Sequence, residues 1–152
     1  MAIDDSQVSL RALEWAAKNL LRKGDEVHLL HVLPSAVPPP AGMAARGSLL
    51  YSALPDPQMA RAAEDSAEAF IASDFLPTLE RHAGAGVTPT VELLRPATYE
   101  TLAEVLVRRS QELGGRVLVV GAHRKGLVGE VLEGSTAKSI ASVAEIPLVV
   151  IH

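Results

Sequence analysis

The chain has 152 residues, enough for one domain that buries roughly 70% of the surface its unfolded form exposes. Apolar residues make up 48% and charged residues 21%, as in globular proteins, and the net charge of −4 argues against nucleic-acid binding, which favours a basic face. The chain has no cysteine, and its apolar runs are far shorter than the roughly 18 residues of a membrane span. Asp4 and Asp5 interrupt the N-terminus where a signal peptide would be apolar. We therefore expect a cytoplasmic protein that binds neither nucleic acid nor membrane.

The first third of the chain predicts a short strand, a helix and a second strand. MAID is apolar but short, and the helix lies within DDSQVSLRALEWAAKNLLRKG, residues 4–24. Ser6 or Asp5 can cap its beginning, and Gly24 follows its basic last residues. Its apolar residues share one face: Leu10, Leu13, Ala17, Leu20 and Leu21. EVHLLHVL, residues 26–33, is the nearly continuous apolar run of a strand covered on both sides.

The middle of the chain begins with a long loop. Residues 34–57 are rich in Pro, Gly and Ala, and a loop of this length is mobile or functional. A helical pattern follows over about 58–83, and Pro77 should kink or divide it. TPTVELLRP, residues 88–96, predicts a third strand, and Thr98–Leu113 a third helix.

The last third repeats the order of strand, helix and strand. RVLVVG, residues 116–121, is a buried strand that leads into a glycine-rich segment. The pattern predicts a helix over Ser135–Ala144, with Ala137, Ile140, Ala141 and Ala144 on one face. IPLVVIH closes the chain as a fifth strand.

Alternating strands and helices with apolar strands indicate an α/β fold: a parallel sheet with helices on both faces. Ligands of such open sheets bind beyond the carboxyl ends of the strands. Two segments fit that position, IDDS after the first strand and the glycine segment after the fourth. We therefore expect these two segments to converge.

The glycine segment GAHRKGLVGEVLEGSTAKSI has the features of an anion site. Its four glycines, at 121, 126, 129 and 134, allow the backbone to approach a ligand closely. Gly134, Ser135 and Thr136 begin a helix, where free N–H groups and the helix dipole favour phosphate. On composition alone, a shaped loop with Ser135 as a helix cap explains the same residues equally well.

Known phosphate and metal motifs fit less well. GEVLEGST has the glycine spacing of a P-loop, but Ser135 stands where the lysine is required. Asp4 and Asp5 are similar to the acidic pair of a phosphoacceptor receiver domain, whose third aspartate is missing from TVELLRP. His28 and His31 point to opposite faces of one strand, so packing explains both better than chelation.

The combined motifs resemble the universal stress protein family over nearly the whole chain. The family signature is Gly, two residues, Gly, nine residues and then Gly-Ser or Gly-Thr. Gly121 and Gly134-Ser135 match its ends, whereas Arg124 replaces its middle glycine. IDDSQVSLRALEWAAKNLL, LLHVLP and IPLVVIH resemble the family's first strand and helix, second strand and last strand, most closely in the plant-type single-domain branch.

The resemblance implies one Rossmann-like domain, residues 1–152, with an open five-stranded parallel sheet of strand order 3-2-1-4-5. Members with the glycine signature bind ATP or AMP. Carried over, the nucleotide-binding residues are Asp4, Val32, Gly121, Arg124, Gly134, Ser135, Thr136 and Ala137. The guanidinium of Arg124 either obstructs a backbone contact or donates to the phosphates, and Lys125 is a second counter-ion candidate.

The resemblance also implies a stress-response regulator or sensor that forms a homodimer through the terminal strand, residues 146–151. Mg²⁺ would bind through the nucleotide phosphates, aided by Asp4 or Asp5. Slow ATP hydrolysis stays open, without an evident general base. So does a nucleotide-free interaction module that recruits a protein partner through residues 34–57. The family's first strand begins a few residues earlier, which leaves open a native N-terminus that extends before Met1.

Overall fold

The computed structural model describes residues 1–34, 57–97, 100–122 and 136–152. Helices and strands alternate over most of this part of the chain, as the sequence predicts. The elements are α1 (Gln7–Asn19), β1 (Glu26–Val32), α2 (Pro57–Phe70), a π-helical turn (Ile71–Phe75), α3 (Leu76–His82), β2 (Thr88–Leu94), α4 (Leu102–Glu112), β3 (Leu118–Gly121), α5 (Thr136–Val143) and β4 (Leu148–Ile151).

The strands form two parallel pairs. In one pair β1 lies beside β2, with Glu26 opposite Thr88 and Val32 opposite Leu94. In the other pair β3 lies beside β4, with Leu118 opposite Leu148. Parallel pairing needs a crossover connection, and the helices between the strands supply it.

The predicted first strand is reduced to one parallel bridge, between Ala2 and Leu30. Leu30 donates its N–H to the Met1 carbonyl at 2.8 Å and accepts from the Ile3 N–H at 2.9 Å. On its other side this segment donates from Ala2 N–H to the Val119 carbonyl at 3.0 Å. Residues 1–3 therefore contact both strand pairs through their backbone.

Alternate strand residues contribute to two separate cores. Val27 and Leu29 of β1 pack with α1, the π-helical turn and α3, whereas Leu30 and Val32 pack with α4 and α5. A strand that is apolar in both directions must be covered on both faces, and the helices cover it. The chain therefore has the α/β architecture, with helices on both faces of its strands.

Helix α1 ends earlier than the sequence predicts. It stops at Asn19, whereas the basic residues before Gly24 suggested an end four residues later. The amide of Arg22 donates to the Asp25 carboxylate at 2.8 Å instead of to a helical carbonyl, so the chain has already turned. Of the two candidate N-caps, Ser6 is confirmed, because its side chain accepts from Ser9 N–H, and the capping role suggested for Asp5 is wrong.

Pro77 divides the second helical stretch, as predicted. The turn before it is π-helical, and Leu76 N–H bonds the Ile71 carbonyl five residues back. Proline has no N–H and its ring crowds the preceding turn, which favours this wider turn. Pro77 itself lies in the first turn of α3, where the missing donor costs least.

Of the two later helices, α5 begins close to its predicted position and α4 begins four residues later than predicted. Helix α4 starts at Leu102 rather than Thr98, because Thr101 and Glu104 form a capping box there. In α5, Ala137 and Ile140 are buried as predicted, whereas Ala141 is exposed. Within the described ranges, no helix is long and apolar enough to cross a membrane.

Candidate functional site

Asp4 lies in a compact polar turn between the N-terminal segment and α1. Its carboxylate accepts from Ser6 N–H at 3.1 Å and from the Ser6 hydroxyl at 2.5 Å. Its own N–H donates to Ser9 Oγ at 3.1 Å, and Ser9 N–H donates to Ser6 Oγ at 3.1 Å. These bonds hold the side chain of Asp4 at the exposed beginning of the helix.

Gly121 lies where packing leaves little room for a side chain, whatever its role in binding. It ends β3 against the first turn of α1, where an added Cβ would lie 3.0 Å from the Val8 carbonyl carbon and oxygen and 3.1 Å from Ser9 N. Backbone atoms at that distance cannot move aside as a flexible side chain can. Because Ser9 also bonds the Asp4 amide, this contact places Gly121 beside the turn that holds Asp4.

Val32 is the last residue of β1 and lies beside the N-terminal segment that leads into Asp4. Its side chain is buried among residues of α4 and α5, and Ala137 of α5 belongs to the same cluster. The next residue, Leu33, donates its N–H to Leu94 of β2. Because alternate residues of a strand bond to opposite neighbours, the N–H and carbonyl of Val32 face the N-terminal segment.

Helix α5 begins at Thr136, which is exposed, whereas Ala137 is buried. Its first turn carries no acidic side chain. A helix N-terminus without a carboxylate of its own favours an anion. Arg124, Lys125, Gly134 and Ser135 lie outside the described residues.

The structure thus brings Asp4, Val32 and Gly121 together and places Ala137 in the same core as Val32. Sequence reasoning missed Ser9, which is 3% exposed and holds the Asp4 amide. Its position three residues after Ser6, on the buried face of an amphipathic helix, was the available signal.

A second polar cluster lies between β1, β2 and α4, on the side of the strands that α4 and α5 cover. Glu92 accepts from Arg109 Nε at 2.6 Å and pairs with His28 Nδ1 at 2.9 Å. Burial raises the pKa of Glu92, but the hydrogen bonds from Arg109 and His28 outweigh it and hold the pKa below its ordinary value. Each charge in this cluster has a protein partner, which indicates a structural role.

The expectation that His28 and His31 point to opposite faces of one strand is confirmed. His28 contacts Glu92 on the α4 side, and His31 contacts the Phe70 ring on the other side with ring centroids 5.2 Å apart. Over the described ranges, no group of three or more His, Cys, Asp or Glu side chains could hold a metal ion.

Comparison with known proteins gives consistent matches. A family model described as the universal stress protein family matches residues 1–152. A curated universal stress protein of Mycolicibacterium smegmatis is 31% identical over 153 residues, covering 100% of this chain and 47% of that protein. The chain therefore spans about half the length of this relative.

Solved structures show the same fold at low sequence identity. The universal stress protein of Archaeoglobus fulgidus is 18% identical with a TM-score of 0.66, covering 99% of this chain and 95% of that one. A universal stress protein of Archaeoglobus fulgidus in complex with dAMP gives a TM-score of 0.63, with 18% identity over 99% and 94% of the two chains. A universal stress protein in complex with cAMP gives 0.63, with 16% identity over 100% and 93%.

Proposed function

The chain belongs to the universal stress protein family, and we propose that it is a single-domain, cytoplasmic stress-response regulator or sensor that binds ATP or AMP as a homodimer. Structural neighbours in complex with dAMP and cAMP support an adenine nucleotide as the ligand. The observation that carries the proposal is the proximity of Asp4, Val32 and Gly121. Ile3, which precedes Asp4, bonds to Leu30 of the strand that ends at Val32. Gly121 lies against Val8 in the helix that follows Asp4.

We infer that the two strand pairs and residues 1–3 form one five-stranded sheet of order β2, β1, residues 1–3, β3, β4. This is the predicted order 3-2-1-4-5. The bonds from Leu30 to Met1 and Ile3 on one side, and from Ala2 to Val119 on the other, support it. Such a sheet places the nucleotide beyond its carboxyl ends, between the halves.

Within that site, Asp4 contacts the ribose or adenine and the backbone of Val32 contacts the adenine. Gly121 passes beneath the ribose and phosphates. The phosphates bind the start of α5, through Gly134, Ser135 and Thr136, with Ala137 beside them. Arg124 replaces the middle glycine of the family signature, and we propose that its guanidinium donates to the phosphates. Mg²⁺ binds through the phosphates when ATP is present.

The homodimer forms through the terminal strand. Leu148–Ile151 pairs with β3 on one side, and these four residues are all half-buried in the isolated chain. An apolar strand at the edge of a sheet favours pairing with a second chain. Light scattering on a sizing column tests this directly: a dimer is expected at micromolar concentration, and a monomer would remove this part of the proposal.

The central experiment is nucleotide release from freshly purified protein. The protein is denatured, and the supernatant is analysed by anion exchange with mass detection for ATP and AMP. Calorimetry with added ATP and Mg²⁺ follows on the wild type and on the Ser135→Ala, Thr136→Ala double variant. We expect at least tenfold weaker binding by the double variant, because hydroxyl donors to the phosphates are lost.

Ser142→Ala is the matched control, since it removes a hydroxyl from the exposed last turn of the same helix. Its affinity should equal that of the wild type. If the wild type carries no nucleotide and binds none, the nucleotide-free interaction module becomes the better account. Release of AMP or ADP on incubation with ATP would reveal slow hydrolysis.

A further inference from the structure

His31 holds a backbone carbonyl at the edge of the candidate site. Its Nδ1 lies 3.0 Å from the Ile3 carbonyl oxygen, and its ring contacts the Phe70 ring edge-on. A carbonyl oxygen only accepts hydrogen bonds, so Nδ1 carries the proton and donates. A half-buried histidine on this strand is therefore fixed in one tautomer and one orientation.

This bond stands where the sheet ladder would otherwise continue. The ladder runs from Met1 N–H to the His28 carbonyl, from Leu30 N–H to Met1, and from Ile3 N–H to Leu30. The next bond in that register joins Val32 N–H to the Ile3 carbonyl. Among the residues that the structure describes, no such bond forms, and the Ile3 carbonyl accepts from His31 instead.

The same carbonyl belongs to the peptide unit that leads into Asp4. The N–H of that unit is the Asp4 amide, which donates to Ser9 Oγ at 3.1 Å. His31 and Ser9 thus hold the two ends of one peptide plane. A planar peptide held at both ends fixes the position of the Asp4 Cα, from which the side chain bonds to Ser6.

We propose that His31 is a positioning residue of the nucleotide site, acting with Ser9 to orient Asp4 and to leave the Val32 N–H available to the base. This inference rests on the proposed function. His31 does not touch the nucleotide in this account. It acts by directing the Ile3 carbonyl away from Val32 and by holding the peptide that precedes Asp4.

The test compares His31→Leu, His31→Asn and Ser9→Ala with the wild type. Leucine removes the donor, whereas the side-chain N–H of asparagine reaches nearly the position of Nδ1. By calorimetry with ATP and with AMP, we expect about tenfold weaker binding for His31→Leu and for Ser9→Ala. His31→Asn should recover affinity to within about threefold of the wild type, on the same hydrogen-bond scale.

A second background isolates the route of the effect. In an Asp4→Ala variant, the loss caused by His31→Leu should be clearly smaller than in the wild type, because one of the two groups that His31 orients is gone. An undiminished loss in that background would show that His31 does not act through Asp4, and an asparagine variant as weak as the leucine variant would assign His31 to packing against Phe70. Either result overturns the inference.

A measurement without nucleotide separates this inference from the proposed function. In ¹⁵N NMR spectra of the free protein, the amide resonances of Asp4 and Val32 should shift or broaden in His31→Leu and return in His31→Asn. Unchanged resonances would overturn the inference whether or not the protein binds a nucleotide. A wild type that binds none would overturn the proposed function alone. Should His31→Leu not fold, His31→Ala, which also removes the donor to the Ile3 carbonyl, gives the same decision.

Discussion

Helices α4 and α5 occupy equivalent places in the fold, because each follows a parallel strand and packs in the same core. Their first turns differ in charge. In α4, Thr101 Oγ1 accepts from Glu104 N–H at 3.3 Å and the Glu104 carboxylate accepts from Thr101 N–H at 2.7 Å. In α5, the first turn has Thr136 and no acidic residue.

The charge of the first turn distinguishes a helix start that is capped by its own side chains from one that can bind an anion. In a capping box, two side chains of the helix itself accept hydrogen bonds from its free N–H groups. The glutamate also places a negative charge at the helix end that would otherwise attract an anion. A first turn without a carboxylate leaves its N–H groups and the positive end of the helix dipole available to an external anion. Of these two helix starts, that of α5 is therefore the one suited to phosphate, in agreement with the proposed site.

The largest effect is expected when the first turn of α5 receives a negative charge like that of α4. Thr136→Glu places a carboxylate in its first turn, and we expect about hundredfold weaker ATP binding, about 2.7 kcal/mol, from charge repulsion and loss of the hydroxyl. Calorimetry measures the affinity. Thr136→Gln has the same size without charge, so the difference between the two variants isolates the charge. Equal affinities would show that no phosphate binds at this turn.

Gly121→Ala tests the contact that brings β3 to the start of α1. The new Cβ would lie 3.0 Å from backbone atoms of Val8, so we expect a loss of about 1–3 kcal/mol in the free energy of unfolding. Urea denaturation measures it. Gly84→Ala is the control, because a Cβ there meets nothing within 4 Å, and its effect should stay below about 0.5 kcal/mol. Similar losses in both variants would contradict the packing role.

Two helix caps give a matched pair across the regions. Thr101→Ala removes the cap of α4 and Ser6→Ala that of α1, and each should cost about 1 kcal/mol of unfolding free energy. Only Ser6→Ala should also weaken nucleotide binding, since Ser6 holds the Asp4 carboxylate. Thermal melts and calorimetry measure both properties. Weaker binding by Thr101→Ala would mean that α4 also contributes to the site.

The smallest expected effect concerns the Glu92 cluster on the α4 side. The pKa of Glu92 is lowered in the folded protein, so the unfolded chain binds its proton first as the pH falls below the ordinary value of 4.5. Stability should therefore decrease in that acid range, by less than about 1 kcal/mol for this partly screened group. Glu92→Gln should flatten this part of the pH profile, measured by urea unfolding between pH 3 and 6.

The exposed Glu80 offers the control for that profile. Glu80→Gln should follow the wild-type curve. A Glu92→Gln curve parallel to the wild type would show that Arg109 and His28 do not hold the carboxylate. Nucleotide binding at pH 7 should be the same in all three proteins, because the cluster lies apart from the site.

Local patterns in the sequence were sufficient to predict most elements of the fold. The apolar runs of β1 and β3 predicted strands covered on both faces, and Pro77 predicted the division of the second helix. These predictions succeed because burial and proline geometry act over a few neighbouring residues. The end of α1 was missed, since it depends on a bond from Arg22 to Asp25, which periodicity does not reveal.

The candidate site divides in the same way. Its residue types follow from the acidic-serine turn, the glycine segment and the family signature, all of which are visible in the sequence. The folded chain was needed to find that Gly121 lies against Val8, that Ser9 holds the Asp4 amide, and that His31 reaches the Ile3 carbonyl. The physical reason is distance along the chain: the first and last of these contacts join residues separated by 113 and 28 positions, and only a sheet that places those segments side by side brings them within bonding range.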